Sequence, residues 1–232
     1  MAELRGVEYL RRKLEMKRSR VLLRYKYYEM KNAVTDFNIT TPPEFKWLKE
    51  TLGWCGKAVD ALADRLVFRE FRNDNFDLTG IYQMNNADIL YDSAVLSALI
   101  SSCSFIYIVA DEGGFPRMEV LDGGNATGII DETTGMLREG YAVLERDDNG
   151  APVRDAYFVA GKTTHYLKNC KTYERENPAP YPLLVPIIHR PDAMRPFGHS
   201  RISRACSREV SGCPRYCGRQ RIQDSSYLQE GI

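Results

Sequence analysis

Apolar residues recur at alternating steps of four and three between residues 45 and 71. Residues at this spacing share one face of a helix, so the pattern predicts a single long helix with a buried stripe. The stripe comprises Leu48, Leu52, Cys55, Val59, Leu62 and Leu66. Pro42 and Pro43 mark the start, and a shift towards period two at Val67 and Phe68 predicts a strand after it. We expect this helix to form the centre of the core.

Helical spacing also occurs before and after this segment. Residues 5–31 predict a basic amphipathic helix, whose apolar face carries Val7, Leu10, Leu14, Val21 and Tyr25. Residues 78–103 predict two helices separated near Asn85 and Asn86. The part from Ile89 to Ile100 is apolar enough to be buried.

The remaining periodicity is that of strands separated by turn residues. The predicted strands are 104–109, 117–121, 136–145, 153–159 and 163–167, with a short one at Thr172 and Tyr173. Turns are predicted at residues 111–114, 122–127 and 147–150. The resulting fold class is α+β, with N-terminal helices packed on an antiparallel β-meander.

Two later segments lack these periodicities. Residues 177–186 contain four prolines, and we expect an extended surface segment without regular structure. Residues 207–232 are rich in Arg, Ser, Gln and Gly. The expected division is an N-terminal basic helix and linker (1–43), an α+β domain (44–205) and a divergent, disordered tail (206–232).

Charge is unevenly distributed along the 232 residues. Residues 1–31 carry ten Lys/Arg and four Asp/Glu, residues 32–188 carry fourteen and twenty-three, and residues 189–232 carry eight and four. Basic ends and an acidic middle suit self-association or other charged partners, and a solvated helix face explains the basic start. The chain has no apolar run of about 20 residues and its start has no signal-peptide core. We therefore expect a cytoplasmic product without membrane contact.

The residues that could carry chemistry form no catalytic constellation, so we predict no enzyme, no catalytic residue and no cofactor. The carboxylate pairs at 111–112, 131–132 and 147–148 lie at or beside predicted turns, where Asp bonds the local backbone. The histidines at 165, 189 and 199 have no nucleophile at motif spacing. Gly161-Lys162-Thr163 resembles part of a phosphate loop, but residue 156 is alanine and a strand is predicted to follow.

Six cysteines do not make a dense disulfide framework at this length, so reduced thiols are expected. His199, Cys206, Cys213 and Cys217 could in principle bind zinc, but a single knuckle-like pair is present. We predict no metal site.

Short motifs follow one another in a fixed order over about residues 20–205. The first are Tyr27-Tyr28, Trp54 with Val59-Asp60-x-Leu62-Ala63-x-Arg65-Leu66, Phe71, Asn85/Asn86, and Ala98-Leu99-Ile100 through Ser104–Ile108. Asn125–Asp131, Thr134-Gly135, Val185-Pro186, His189–Asp192 and Pro196–Ser203 complete the series. This order resembles the portal proteins of tailed bacteriophages, and ten matches in one order make the resemblance specific.

The resemblance implies a structural virion protein. Portal proteins form rings, usually of twelve subunits, at one capsid vertex, and double-stranded DNA is packaged and ejected through them. The matched part corresponds to their outer, wing-like α+β region. The implied partners are other copies of the chain, capsid and scaffolding proteins, the terminase motor and DNA. The implied location is the virion, and the bacterial host cytoplasm during assembly.

The resemblance stops near residue 205. In the family a long helix follows, and then the stem, clip and crown, whereas Gly212, Pro214 and Gly218 interrupt any helix here. We expect a truncated or frame-shifted portal gene, whose product keeps the wing and lacks the DNA channel. The alternative is a small nucleic-acid-binding protein with a zinc-stabilised basic C-terminal tail.

Overall fold

The computed structural model describes residues 4–31, 53–72, 76–131, 134–169 and 171–189. Within these residues the helices are α1 (Val7–Tyr28), α2 (Trp54–Ala63), α3 (Leu78–Met84) and α4 (Ala87–Ser101). The strands are β1 (Cys103–Ala110), β2 (Pro116–Leu121), β3 (Ala126–Ile130), β4 (Leu137–Arg146), β5 (Pro152–Val159), β6 (Lys162–Leu167), β7 (Thr172–Glu176) and β8 (Leu184–Ile188). The fold is therefore α+β, as the sequence predicts. Both expected domain boundaries, near residues 43 and 205, lie outside the described residues.

The strands form two antiparallel sheets. One has the order β3-β4-β5-β6-β7, which is a meander, and the other has the order β2-β1-β8. The expected meander is confirmed for β3 to β7. The second sheet arises because β1 pairs with its hairpin partner β2 on one side and with the distant β8 on the other, where Tyr107 lies opposite Leu184.

The largest hydrophobic cluster contains residues of both sheets. Its members are Cys103, Phe105, Tyr107, Leu121, Ala126, Leu137, Ala142, Ala156, Phe158 and Leu184. The rings of Tyr107 and Phe158 meet edge to face, with their centroids 5.4 Å apart. A Cβ at Gly140 would lie 2.9 Å from Cδ2 of Leu184, so the absence of a side chain there lets β8 approach β4.

The helix α1 covers the other face of the five-stranded sheet. Its buried residues Leu10 and Leu14 pack with Ile129, Tyr141 and Val143 of β3 and β4. Val21, further along α1, is also buried. The predicted amphipathic helix over residues 5–31 is confirmed, and burial of its apolar stripe attaches it to the sheet.

The predicted long core helix is wrong in the part that the structure describes. The helix α2 covers ten residues, and its buried positions are Cys55 and Gly56. Trp54 is 63% exposed and Leu62 is 44% exposed, while residues 66–71 form no strand. Periodicity indicates that a helix has an apolar face, but it does not indicate that another element covers that face. Residues 45–52 of the prediction lie outside the described residues.

The helix α4 packs on the three-stranded sheet, where it contacts β1, β2 and β8. Leu90, Ala94 and Ala98 are buried along it, although Ile89, which was predicted to be buried, is 69% exposed. The predicted break before α4 is confirmed. Asn86 has a left-handed backbone with φ 53°, a conformation that Asn tolerates better than most residues.

Two strands occur where the sequence predicts no regular structure. The strand β8 begins at Leu184, inside the proline-rich segment 177–186, and ends two residues after that segment. Its first residue, Leu184, is 1% exposed. Pro186 is tolerated because β8 is an edge strand, whose outward amide needs no partner in the ladder. β3 begins at Ala126, inside the predicted turn. No described helix combines the length and the apolar character that a membrane span requires.

Candidate functional site

The three carboxylate pairs are candidates for chemistry. In the structure, Asp111 lies in the turn between β1 and β2. Oδ1 of Asp111 accepts backbone N–H bonds from Gly113 (2.9 Å) and Phe115 (3.0 Å). These bonds, led by that from Phe115, lower the pKa of Asp111. Oδ2 of Asp111 accepts from Arg117 at 3.1 Å. The carboxylate closes the β1–β2 hairpin, as predicted.

Asp147 has the same role in the β4–β5 hairpin. Its Oδ1 accepts backbone N–H bonds from Asn149 (3.1 Å) and Ala151 (2.8 Å). Its Oδ2 accepts from Nζ of Lys168 at 3.0 Å, and this bond is the main reason that the pKa of Asp147 is lowered. The third pair is described at Asp131, which begins the turn before β4, while Glu132 lies outside the described residues.

The phosphate-loop fragment and His165 both lie in strand β6 or directly before it, His189 is exposed after β8, and His199 lies outside the described residues. Lys162 starts β6 directly after Gly161, and its Nζ pairs with Glu174 on β7 at 2.6 Å, so a strand follows the glycine as predicted. His165 is buried and stacks on Tyr173 with the ring centroids 4.6 Å apart. Burial lowers the pKa of His165.

The described cysteines are Cys55 and Cys103, which are buried and form no disulfide. Cys170 and the four residues considered for zinc (His199, Cys206, Cys213 and Cys217) lie outside the described residues. Within the described part of the chain, no group of three or more His, Cys, Asp or Glu side chains could hold a metal ion.

A buried carboxylate that the sequence analysis missed holds the start of α1. Glu139, on β4, has no exposed surface. Its Oε1 accepts the backbone N–H of Arg5 (2.9 Å), and its Oε2 accepts the backbone N–H of Gly6 (3.1 Å) and the hydroxyl of Tyr157 (2.8 Å). Burial, followed by the bond to Glu139, raises the pKa of Tyr157. A negative charge here also complements the positive end of the helix dipole.

A second polar cluster holds the next turns of α1. Oδ2 of Asp155 accepts from Nε and Nη2 of Arg11 (3.2 and 2.8 Å) and from the hydroxyl of Tyr141 (2.6 Å). Burial, followed by this bond, raises the pKa of Tyr141. Asp155 and Glu139 face the same side of the sheet. Tyr141 of β4 lies opposite Tyr157 of β5, and each carboxylate is two residues from one of these tyrosines on its own strand. Charged residues inside predicted strands were the signal that could have identified both carboxylates.

The expected solvated helix face accounts for part of the basic residues of α1, since Arg12 and Arg20 are exposed, whereas several others point towards the rest of the protein. Nζ of Lys13 donates to the carbonyl of Gly128 at 2.7 Å, and burial is the main cause that lowers the pKa of Lys13 to about 8. Nζ of Lys17 lies 2.9 Å from Sγ of Cys103. Arg24 donates to the carbonyl of Ser101 at 3.0 Å. The aliphatic parts of these long side chains cover apolar surface, while their charged ends bond polar groups of the neighbouring strands and of α4.

An open groove of about 490 Å³ lies between the end of α1 and α2. Its lining comprises Tyr28, Met30, Gly53, Gly56, Lys57, Asp60, Ala61 and Asp64. The hydroxyl of Tyr28 donates to Oδ1 of Asp60 at 2.8 Å, and burial together with this bond raises the pKa of Tyr28 to about 12. The bond stabilises the contact between the two helices.

Large apolar side chains are exposed along the helical side of the protein. Examples are Phe76 (80% exposed), Ile89 (69%) and Trp54 (63%). Smaller fractions of Met16 and Leu23 are exposed on α1. These side chains lie on or beside the helices, and contiguous exposed apolar surface is typical of protein interaction sites. The best-supported candidate site is therefore a surface for association, held on a scaffold whose buried charges are used to attach α1.

No protein-family model matches the chain, and no curated protein matches it. A functional assignment must therefore rest on the residues and on their geometry.

Proposed function

We propose that this chain is a structural, non-enzymatic subunit of a phage portal assembly and forms its wing-like α+β region. The ordered series of portal-like motifs carries the proposal. The α+β fold agrees with it, because the family's wing region combines helices with antiparallel strands.

Contacts between motifs that are distant in the sequence support the proposal. Tyr28 belongs to the first motif and bonds Asp60 of the second at 2.8 Å. Val185-Pro186 pairs with the β1 motif, where Pro186 lies opposite Phe105. The motifs therefore occupy positions that determine how the elements pack, which is what a shared fold requires.

The uses of the polar residues also favour a structural role. Asp111 and Asp147 close hairpins, and Glu139 and Asp155 attach α1 to the sheet. The exposed apolar side chains can be buried in contacts with other copies of the chain, with capsid protein or with scaffolding protein. In a ring these contacts are heterologous, because each subunit uses one face towards the preceding copy and a different face towards the next.

Sedimentation velocity of the purified full chain tests this proposal. A portal-type subunit sediments as a discrete species of many chains, and its proportion increases with protein concentration. A single-chain species at every concentration would contradict the proposal. Stoichiometric zinc in that monomer, with salt-dependent DNA binding, would instead favour a nucleic-acid-binding protein.

A further inference from the structure

The outward side of α1 is both basic and apolar. Arg12, Met16, Arg20 and Leu23 follow one another at steps of four, four and three, so they share one helix face, which we term the basic face. All four are exposed, and Met16 is 53% and Leu23 is 44% exposed. Of the eight Lys/Arg in residues 9–28, Arg12, Arg20 and Lys26 are exposed, and Glu15 is the one acidic residue in that range.

The outward side of α4 has the opposite charge. Asp88, Ile89 and Asp92 are exposed there, next to the exposed Met84 at the end of α3, and we term these four residues the acidic face. Residues 76–116 contain five Asp/Glu and no Lys or Arg. Arg117 also reaches this face, because its Nη1 donates to the carbonyl of Met84 at 3.0 Å, and its Nε pairs with Asp111 at 3.1 Å. Ile89 (69% exposed) and Met84 (49% exposed) supply apolar surface between the carboxylates.

The two faces cannot meet within one chain. The inner sides of α1 and α4 already contact each other, with the hydroxyls of Tyr25 and Ser97 3.0 Å apart and Arg24 bonded to the carbonyl of Ser101. Ser97 and Ser101 are buried and lie on the side of α4 away from Asp88 and Asp92. Both outward faces therefore point away from this internal contact.

We infer that the basic face of one copy docks on the acidic face of the next copy. This inference rests on the proposed function and identifies the surfaces that its subunits use. Apolar side chains on both faces supply buried area, and the opposite charges set register and exclude like-with-like contacts. Because the faces differ, each added copy leaves a free basic face at one end and a free acidic face at the other, so assembly continues beyond a dimer, and a ring forms when the rotation between copies closes.

Charge-reversed variants of the full chain test the inference. The variant Arg12→Glu/Arg20→Glu has two acidic faces, and Asp88→Lys/Asp92→Lys has two basic faces. We expect each alone to have a dissociation constant for assembly at least about tenfold higher than the unmodified chain. An equimolar mixture should regain assembly in strict alternation, because every contact then joins opposite charges. Light scattering coupled to size-exclusion chromatography measures these masses.

Controls separate charge effects from misfolding. Lys171→Glu/Arg175→Glu, at and beside the exposed strand β7, changes the net charge by the same amount as the basic-face variant and should assemble normally. Circular dichroism verifies folding. If a reversed chain fails to fold, the milder variant Arg12→Gln/Arg20→Gln should still weaken assembly. Added salt should weaken the assembly of this variant less than it weakens the assembly of the unmodified chain.

The outcomes distinguish the inference from the function on which it rests. A monomeric unmodified chain contradicts both. An unmodified chain that assembles, with reversed variants that assemble equally well or a mixture that stays dissociated, overturns the choice of faces alone.

Discussion

Glu139 attaches the start of α1 to the sheet, and its loss should be costly. Glu139→Ala would leave the backbone N–H groups of Arg5 and Gly6 and the hydroxyl of Tyr157 without their acceptor. Hydrogen bonds to a charged group contribute about 1.5–3 kcal/mol each, but water can reach part of the vacated site. We therefore expect a loss of about 3–5 kcal/mol in the free energy of unfolding, which is a large share of a typical domain's stability.

Urea denaturation at pH 7, followed by circular dichroism, measures this loss. Glu139→Gln keeps the volume but turns an NH2 group towards donors, so it should cost about 1–3 kcal/mol. Glu145→Gln is the matched control, because Glu145 lies on the same strand and is exposed, and it should change stability by less than about 0.5 kcal/mol. Equal stability of Glu139→Gln and Glu145→Gln would refute the buried-carboxylate account of the attachment.

Three further predictions concern burial. Leu10→Ala should cost about 2–5 kcal/mol because Leu10 has no exposed surface, whereas Leu62→Ala should cost under about 1 kcal/mol; equal melting temperatures for the two variants would contradict this. The pKa of Lys13 is about 8 in the folded chain, below its ordinary value of 10.5. Between about pH 8 and pH 10.5 the unfolded chain therefore binds more protons than the folded chain, so the contribution of Lys13 to the free energy of unfolding increases as the pH rises through that window. Lys13→Met should lack that contribution in urea titrations at pH 7 and pH 9.5. Gly128→Ala should destabilise by about 1–3 kcal/mol, since its Cβ would lie 2.8 Å from the carbonyl of Glu139, and an unchanged urea midpoint would show that the strands can separate.

Local chemistry explains which elements the sequence predicts well. The hairpins at Asp111 and Asp147 depend on bonds within five residues, and the break at Asn86 depends on a backbone conformation that Asn favours. Such features are visible in any short window of sequence. The amphipathic stripe of α1 is similarly local, although the sheet that covers it is distant.

Non-local pairing explains the failures. The strand β8 forms because β1 offers a free edge, and this outweighs the proline at residue 186. The apolar stripe of α2 predicts burial, yet Leu62 stays exposed because the structure places no described element over it. Whether a helix becomes a core helix depends on its neighbours in space.

The polar contacts that attach α1 to the sheet could not be predicted from the sequence either. Glu139 and Asp155 are ordinary charged residues within alternating strands, and their burial depends on where α1 crosses the sheet. A charged residue on a predicted inward position is a useful signal, but its partner cannot be identified until the topology is known. The exposed faces of α1 and α4 are likewise defined by which of their sides pack internally.

The central claim is that copies of this chain associate through two different faces to build a portal-type ring. Negative-stain electron microscopy of the purified full chain tests it most directly. The account predicts closed particles with rotational symmetry about a central axis, because heterologous contacts form a ring when the rotation between neighbouring copies closes. Single-chain particles at all concentrations, open filaments, or discrete two-fold dimers joined through one shared face would contradict it.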